Sequence, residues 1–128
     1  LAGWERRLHE VLQEVDARLE EAYGGRWDLH PARPARGSTA NSQYDGLFRV
    51  TASFSAGYGS ELGRGYVFRV ELVTLENVPP EARRQIEDRA VRELRRGLKD
   101  AFPGQRLLVT RDGPVFKIHG DLGLGRAY

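Results

Sequence analysis

Residues 46–56, "GLFRVTASFSA", and residues 66–75, "YVFRVELVTL", decide how this chain folds. In the first, Phe48, Val50, Ala52, Phe54 and Ala56 alternate with Arg49, Thr51, Ser53 and Ser55. In the second, Tyr66, Phe68, Val70 and Leu72 alternate with Val67, Arg69, Glu71 and Val73. Successive side chains of a strand point to opposite faces, so each segment reads as a strand with one buried face. The intervening "GYGSELGRG" is dense in glycine and joins the two as a hairpin. A register pairing Phe54 with Phe68 and Val50 with Leu72 puts both apolar sets on one side. It sets Ser53 beside Arg69 and Thr51 beside Glu71 on the other.

A half-buried sheet needs a covering layer, and the sequence supplies two helices. Trp4, Leu8, Val11, Leu12, Val15, Leu19, Ala22 and Tyr23 recur at spacings of three and four, one apolar stripe that Gly24-Gly25 ends. The other face of this helix holds Glu5, Glu10, Glu14, Asp16, Glu20 and Glu21 against Arg6, Arg7 and Arg18, which predicts an acidic surface. Pro79-Pro80-Glu81 opens the second helix, with proline at a permitted first position and an acid in the first turn. Its stripe is Ala82, Ile86, Ala90, Val91, Leu94, Leu98 and Ala101, and Phe102-Pro103-Gly104 stops it. "RLLVTR" and "PVFKIH" follow, joined at Asp112-Gly113, and predict a hairpin with Leu107 beside Ile118 and Val109 beside Phe116. Between the first helix and the long strands, "RWDLH" (26–30) predicts a short strand. Residues 31–45, "PARPARGSTANSQYD", predict a loop of the length that is usually either functional or disordered.

The predicted architecture is one domain over residues 1–128, an α+β two-layer sandwich. Its antiparallel sheet carries both helices on one face, in the order α-β-β-β-α-β-β. Helix, three strands, helix resembles the double-stranded-RNA-binding domain, and with two further strands the order is similar to the dimeric chaperones of type III secretion. The resemblance is one of element order alone. The second helix has no lysine-rich N-terminal cluster of the RNA-binding kind, and a net charge of +2 departs from the acidic chaperones. Topology by itself carries no function.

Composition narrows the chemistry. Without cysteine there is no disulfide, thiolate metal site or thiol nucleophile. No apolar run approaches the ~18 residues of a membrane span. Both fit a cytoplasmic protein, although the chain starts at Leu1 rather than methionine, so this reading takes no account of any upstream segment. Lys99 and Lys117 are the lysines, and arginine supplies the rest of the positive charge. Arginine suits bidentate contact with carboxylate or phosphate, although a GC-rich coding sequence produces the same bias. The surplus is local: the far side of the second helix collects Arg84, Arg89, Arg92, Arg95, Arg96 and Lys99, with Asp88 the acid well inside that arc. Asp88 with Arg92 and Arg89 with Glu93, spaced four apart, compensate some of it, and late cations suit the helix C-terminus, whereas Arg92 with Arg96 and Arg95 with Lys99 are like-charge pairs at the same spacing, mildly unfavourable in a helix. A charge run usually means only a solvated face. It is also the footprint expected of an acidic partner, which Arg33 and Arg36 in the long loop would extend.

Catalytic signals are weak. Gly57, Gly59, Gly63 and Gly65 lack the lysine and helix of a phosphate-binding loop, so the segment reads as a mobile hairpin tip. Asp28, His30, His119 and Asp121 form a constellation only if strand ends meet in space, and no glycine-flanked serine elbow is present. The expectation is a non-enzymatic binding or adaptor protein, with no cofactor or metal. It would bind an acidic protein or nucleic acid through Arg84, Arg89, Arg92, Arg95, Arg96, Lys99, Arg33 and Arg36. It would not insert into a membrane, because the helix has no spare apolar face. Self-association as a homodimer would use Leu47, Val67, Val73, Leu75, Leu108 and Val115 on the outer sheet face. The alternatives are a nucleic-acid-binding domain using the second helix and residues 31–45, and a small metal- or acid/base-dependent enzyme using Asp28, His30, His119 and Asp121.

Overall fold

A computed structural model describes residues 2–122. Its elements are α1 (Ala2–Tyr23), a 3-10 turn (Ser42–Tyr44), β1 (Phe48–Ser55), β2 (Gly65–Leu72), α2 (Pro80–Ala101), β3 (Leu107–Asp112) and β4 (Val115–Gly120). The strands form one antiparallel sheet in the order β1-β2-β4-β3, and the helices pack on one face of it. The fold is therefore the expected α+β sandwich, in the order α-β-β-α-β-β.

Residues 26–30 are not the predicted strand. Trp27 and Leu29 do pack against the core. The backbone, however, meets the sheet end through a single ladder-like bond, His30 N–H to the Val73 carbonyl at 2.9 Å. At Asp28, side chains substitute for a ladder: its amide donates to the Glu76 carboxylate, and the Thr74 hydroxyl donates to its carbonyl. Such local side-chain bonds satisfy the backbone without a strand. Without that strand, the likeness of element order to the RNA-binding domain and the secretion chaperones disappears.

Both hairpins are slipped by two residues from the expected register. Phe54 faces Tyr66, Ala52 faces Phe68 and Val50 faces Val70, while Thr51 lies opposite Arg69 and Arg49 opposite Glu71. In the second hairpin Val109 faces Ile118 and Arg111 faces Phe116. A slip of two keeps every side chain on its own face, so the face assignment survives where the pairing does not, but Phe54, expected in the core, is 53% exposed. The turn explains the second slip. Asp112 pairs with Val115, so Gly113-Pro114, rather than Asp112-Gly113, makes the two-residue turn. Gly113 adopts φ +65°, and proline suits a position that needs no ladder donor.

The glycine-rich connection does not project away from the hairpin end. It folds back over the outer sheet face, where Lys117 Nζ donates to the Gly63 carbonyl at 2.7 Å and Ser60 Oγ to Asp112 at 2.9 Å. Lys117 is 2% exposed. Gly57 holds φ +88° directly against the Gly63 backbone, so a Cβ there has no room.

Between the layers Phe48, Phe68, Leu19, Ile86, Leu94 and Ile118 are fully buried. The helices are in close contact at Gly97, where an added Cβ would sit 2.7 Å from Val11 Cγ1. Leu47, expected on the outer face, is buried in this core at 1% exposure. Among the described residues no helix is long and apolar enough to cross a membrane.

Candidate binding site

The C-terminal half of α2 runs beside β3, the outermost strand on its side of the sheet. A groove of about 560 Å³ lies between them, lined by Arg95, Leu98 and Lys99 from the helix, Gln105 and Arg106 from the connection, and residues 107–110 of the strand. α2 exists because its apolar stripe is continuous: Ile86, Ala90, Val91, Leu94 and Leu98 are all buried, which turns the cationic positions outward.

The structure divides those cations into two groups. Arg84 pairs with Glu81, and Arg89 pairs with Glu93 at 3.0 Å, with Arg96 reaching the other oxygen of the same carboxylate at 3.5 Å. Glu93 is buried at 7% exposure, so a carboxylate that the sequence pattern assigns to the surface instead holds two guanidinium groups against the helix. Arg95 donates from Nη2 to the Val109 carbonyl at 2.8 Å, tying helix to strand. Among the described residues Arg92, Lys99 and Arg106 make no ion pair, and all three are exposed.

Arg33 and Arg36 belong to a different place. Arg33 donates to the carbonyls of Gly46, Asp45 and Phe48, each at 3.0 Å. Arg36 bonds Asp16 at 2.6 Å and lies 3.6 Å from Asp45. Residues 31–45 thus form an ordered, compact loop docked on α1, and neither arginine extends the α2 face. Asp16 and Glu20, expected on the acidic exterior of α1, are turned to this loop: Asp16 is 1% exposed, and Glu20 accepts the amides of Leu47 and Phe48. Asp45 accepts from the amides of Gly37 and Thr39 and from the Thr39 hydroxyl, closing the loop on itself. Burial pushes the Asp16 carboxyl up to about 7, against the pull of Arg36. Asp45 moves the other way, below its usual range: Thr39, Gly37 and Arg36 outweigh its burial. The one available sequence signal was positional, since Asp16 adjoins the apolar stripe between Leu12, Val15 and Leu19.

Asp28 and His30 do not meet His119 and Asp121. His30 is bonded at Val73, beyond the end of β2, whereas β4 meets β2 at its start, with Tyr66 opposite Ile118. Seven residues of strand separate the two places, roughly 20 Å at ~3.3 Å per residue. His119 instead shares a 2.8 Å hydrogen bond with Thr110 on the neighbouring strand. Among the described residues no group of three or more histidine or carboxylate side chains could hold a metal ion.

A family model described as "Uncharacterised protein" matches residues 1–120. The chain belongs to this family. A relative from Borreliella burgdorferi, described in the same terms, is 44% identical over 117 residues, which is 91% of this chain and 91% of the relative. No solved structure matches the chain. Neither description names an activity or a partner, so the geometry of α2 and its groove has to carry the functional reading.

Proposed function

We propose that the protein is a non-enzymatic binding protein that holds an acidic polypeptide on the exposed cations of α2 and its C-terminal connection. The observation that carries this reading is the division of the arginines. Arg84, Arg89, Arg95 and Arg96 are occupied within the fold, while Arg92, Lys99 and Arg106 stand exposed with no ion pair among the described residues, two of them on the rim of a groove. A chain that needed these charges only for solubility would gain from interspersing acids among them. Arg33 and Arg36 take no part. Nucleic acid is the competing partner, and the outer sheet face offers it Arg49 and Arg69 but no row of exposed aromatic rings on which bases would stack.

Titrating fluorescent poly-glutamate and single- and double-stranded DNA against the protein, at low and physiological salt, tests the reading. Poly-glutamate is expected to bind in a salt-sensitive way, and reversal of Arg92, Lys99 and Arg106 to glutamate is expected to abolish that binding. DNA binding that the variant loses, with poly-glutamate inert, moves the assignment to nucleic acid. Self-association through Val67, Leu108 and Val115, which remain on the outer sheet face, is a separate proposal. A monomer by sedimentation at micromolar concentration ends it.

A further inference from the structure

The groove has one wall that is not a side-chain surface at all. Among the described residues β3 pairs with β4 on one side only, and no strand lies along its other edge. The hydrogen bond from Arg95 to the Val109 carbonyl fixes which groups point outward. In an antiparallel strand the N–H and C=O of one residue face the same side, and the facing side alternates along the chain. Leu107, Val109 and Arg111 therefore present their amides to the groove side, while Leu108, Thr110 and Asp112 bond to β4. Asp112, closing the two-residue turn opposite Val115, agrees with this phase.

Exposed edges are usually blunted by proline, lysine, a bulge or a covering segment. Residues 107–112, "LLVTRD", contain no proline and no lysine, and the register with β4 runs without a bulge. Leu108 is 42% exposed beside this edge. An edge covered at Val109 by the Arg95 side chain rather than by another strand, next to an apolar-floored, cation-rimmed groove, is an arrangement that accepts an added strand once that side chain moves, with backbone bonds giving affinity and the groove giving selection.

Charge decides between occupants. Pairing β3 with β3 of a second copy, antiparallel and in one continuous sheet, places both helix layers on the same side. It brings the Arg92, Arg95, Arg96 and Lys99 faces of the two copies together. Those faces repel, since Glu93 is already committed to Arg89 and Arg96, and Glu87 to Arg111. An acidic strand meets the opposite field.

Building on the proposed acidic-partner reading, we infer that the partner binds as an extended acidic segment added to the open edge of β3. Its backbone bonds Leu107, Val109 and Arg111, and its carboxylates lie against Lys99 and Arg106. Arg95, which now occupies the Val109 carbonyl, moves onto the incoming segment.

The test uses a labelled peptide alternating glutamate with valine, and the same peptide N-methylated at alternate residues, which keeps the charge and removes the strand-forming amides. Arg111→Pro deletes an outward amide that β4 does not use, and Arg111→Ala is its control for loss of the Glu87 pair. The expected result is binding by the plain peptide, at least ~10-fold weakening by N-methylation and by Arg111→Pro but not by Arg111→Ala, and slowed amide exchange at Leu107, Val109 and Arg111. If charge reversal at Arg92, Lys99 and Arg106 abolishes binding while N-methylation and Arg111→Pro leave it unchanged, strand addition is wrong and the acidic-partner reading stands. If the plain peptide and poly-glutamate both fail to bind at low salt, both readings fall. A dimer that Arg111→Pro splits would show that the edge takes a second copy, and would overturn the inference.

Discussion

Two sets of basic residues in this chain look alike in sequence and end in opposite circumstances. Arg33 and Arg36 lie in a proline- and glycine-rich stretch and are turned inward, where they replace missing hydrophobic contacts with carbonyl and carboxylate bonds. Arg92, Lys99 and Arg106 lie on and beyond a regular helix and stay in water. The difference teaches where charge does structural work. A loop of this length has no ladder to satisfy its backbone, so long cationic side chains that reach several carbonyls at once hold it down. A helix satisfies its own backbone and leaves surface cations free for something else.

The largest effect that could break this contrast is at Arg36. Changing it to alanine leaves Asp16 and Asp45 buried without their shared cation. We expect a loss of about 2 to 3 kcal/mol, below the full value for a buried pair because Arg36 is itself about a third exposed and water can replace it. The loss should be greater at pH 8, where Asp16 is ionised, than at pH 5, where it is protonated. Asp16→Asn in the same background should recover part of it. Urea denaturation of the four members of the cycle checks this, and additive effects would mean that the two side chains do not interact.

The next effect is the pH dependence itself. Asp16 titrates near 7 when folded and near 3.8 when unfolded, so between those values the native state binds the extra proton. Its contribution to stability is fully present below about pH 4 and falls as pH rises toward 7, by an amount on the order of a few kcal/mol. Asp45 has the reverse sign: its folded value lies below 3.8, so its contribution is present above that value and lost as pH falls through the folded one. Denaturation midpoints measured from pH 5 to 8 should therefore decline for the wild type and flatten for Asp16→Asn. A slope unchanged by that substitution would place the titrating group elsewhere.

How much of this was legible follows from which interactions are periodic. The stripes of α1 and α2 and the alternation of β1 and β2 repeat at fixed intervals, and the buried residues Leu8, Val15, Leu19, Ile86, Leu94, Phe48 and Phe68 follow them. Register was not legible, because a two-residue slip leaves the alternation intact and only turn geometry at Gly113-Pro114 selects the pairing. Nor was the Asp16–Arg36–Asp45 cluster, whose members are twenty and nine residues apart and share no period. Lys117, at an outward strand position, is buried only because a glycine loop folds back onto it. The cationic side of α2 was legible as a face. The Arg89–Glu93 pair was legible from its spacing of four, but the same spacing offered Asp88 to Arg92, which forms no ion pair among the described residues, and the sharing of the Glu93 carboxylate with Arg96 had no such signal.

The smallest expected change in stability sharpens the comparison most. Arg92 and Lys99 make no ion pair among the described residues, and each faces a like charge four residues away, at Arg96 and Arg95 respectively. Replacing both by alanine removes two repulsions worth ~0.2 to 0.5 kcal/mol each and adds residues of higher helix propensity, which offsets the loss of the Asp88 spacing to Arg92 and of the Lys99 charge in the last turn. The double variant should thus be as stable as the wild type or slightly more so, with any gain fading as salt rises. Arg36→Ala behaves in the opposite way in the same assay. A loss above about 1 kcal/mol in the Arg92, Lys99 double variant would mean that these side chains are bonded within the fold, and would remove the distinction on which the binding proposal stands. Equal stability combined with weakened binding of the acidic peptide is the pattern of residues kept for a partner rather than for the fold.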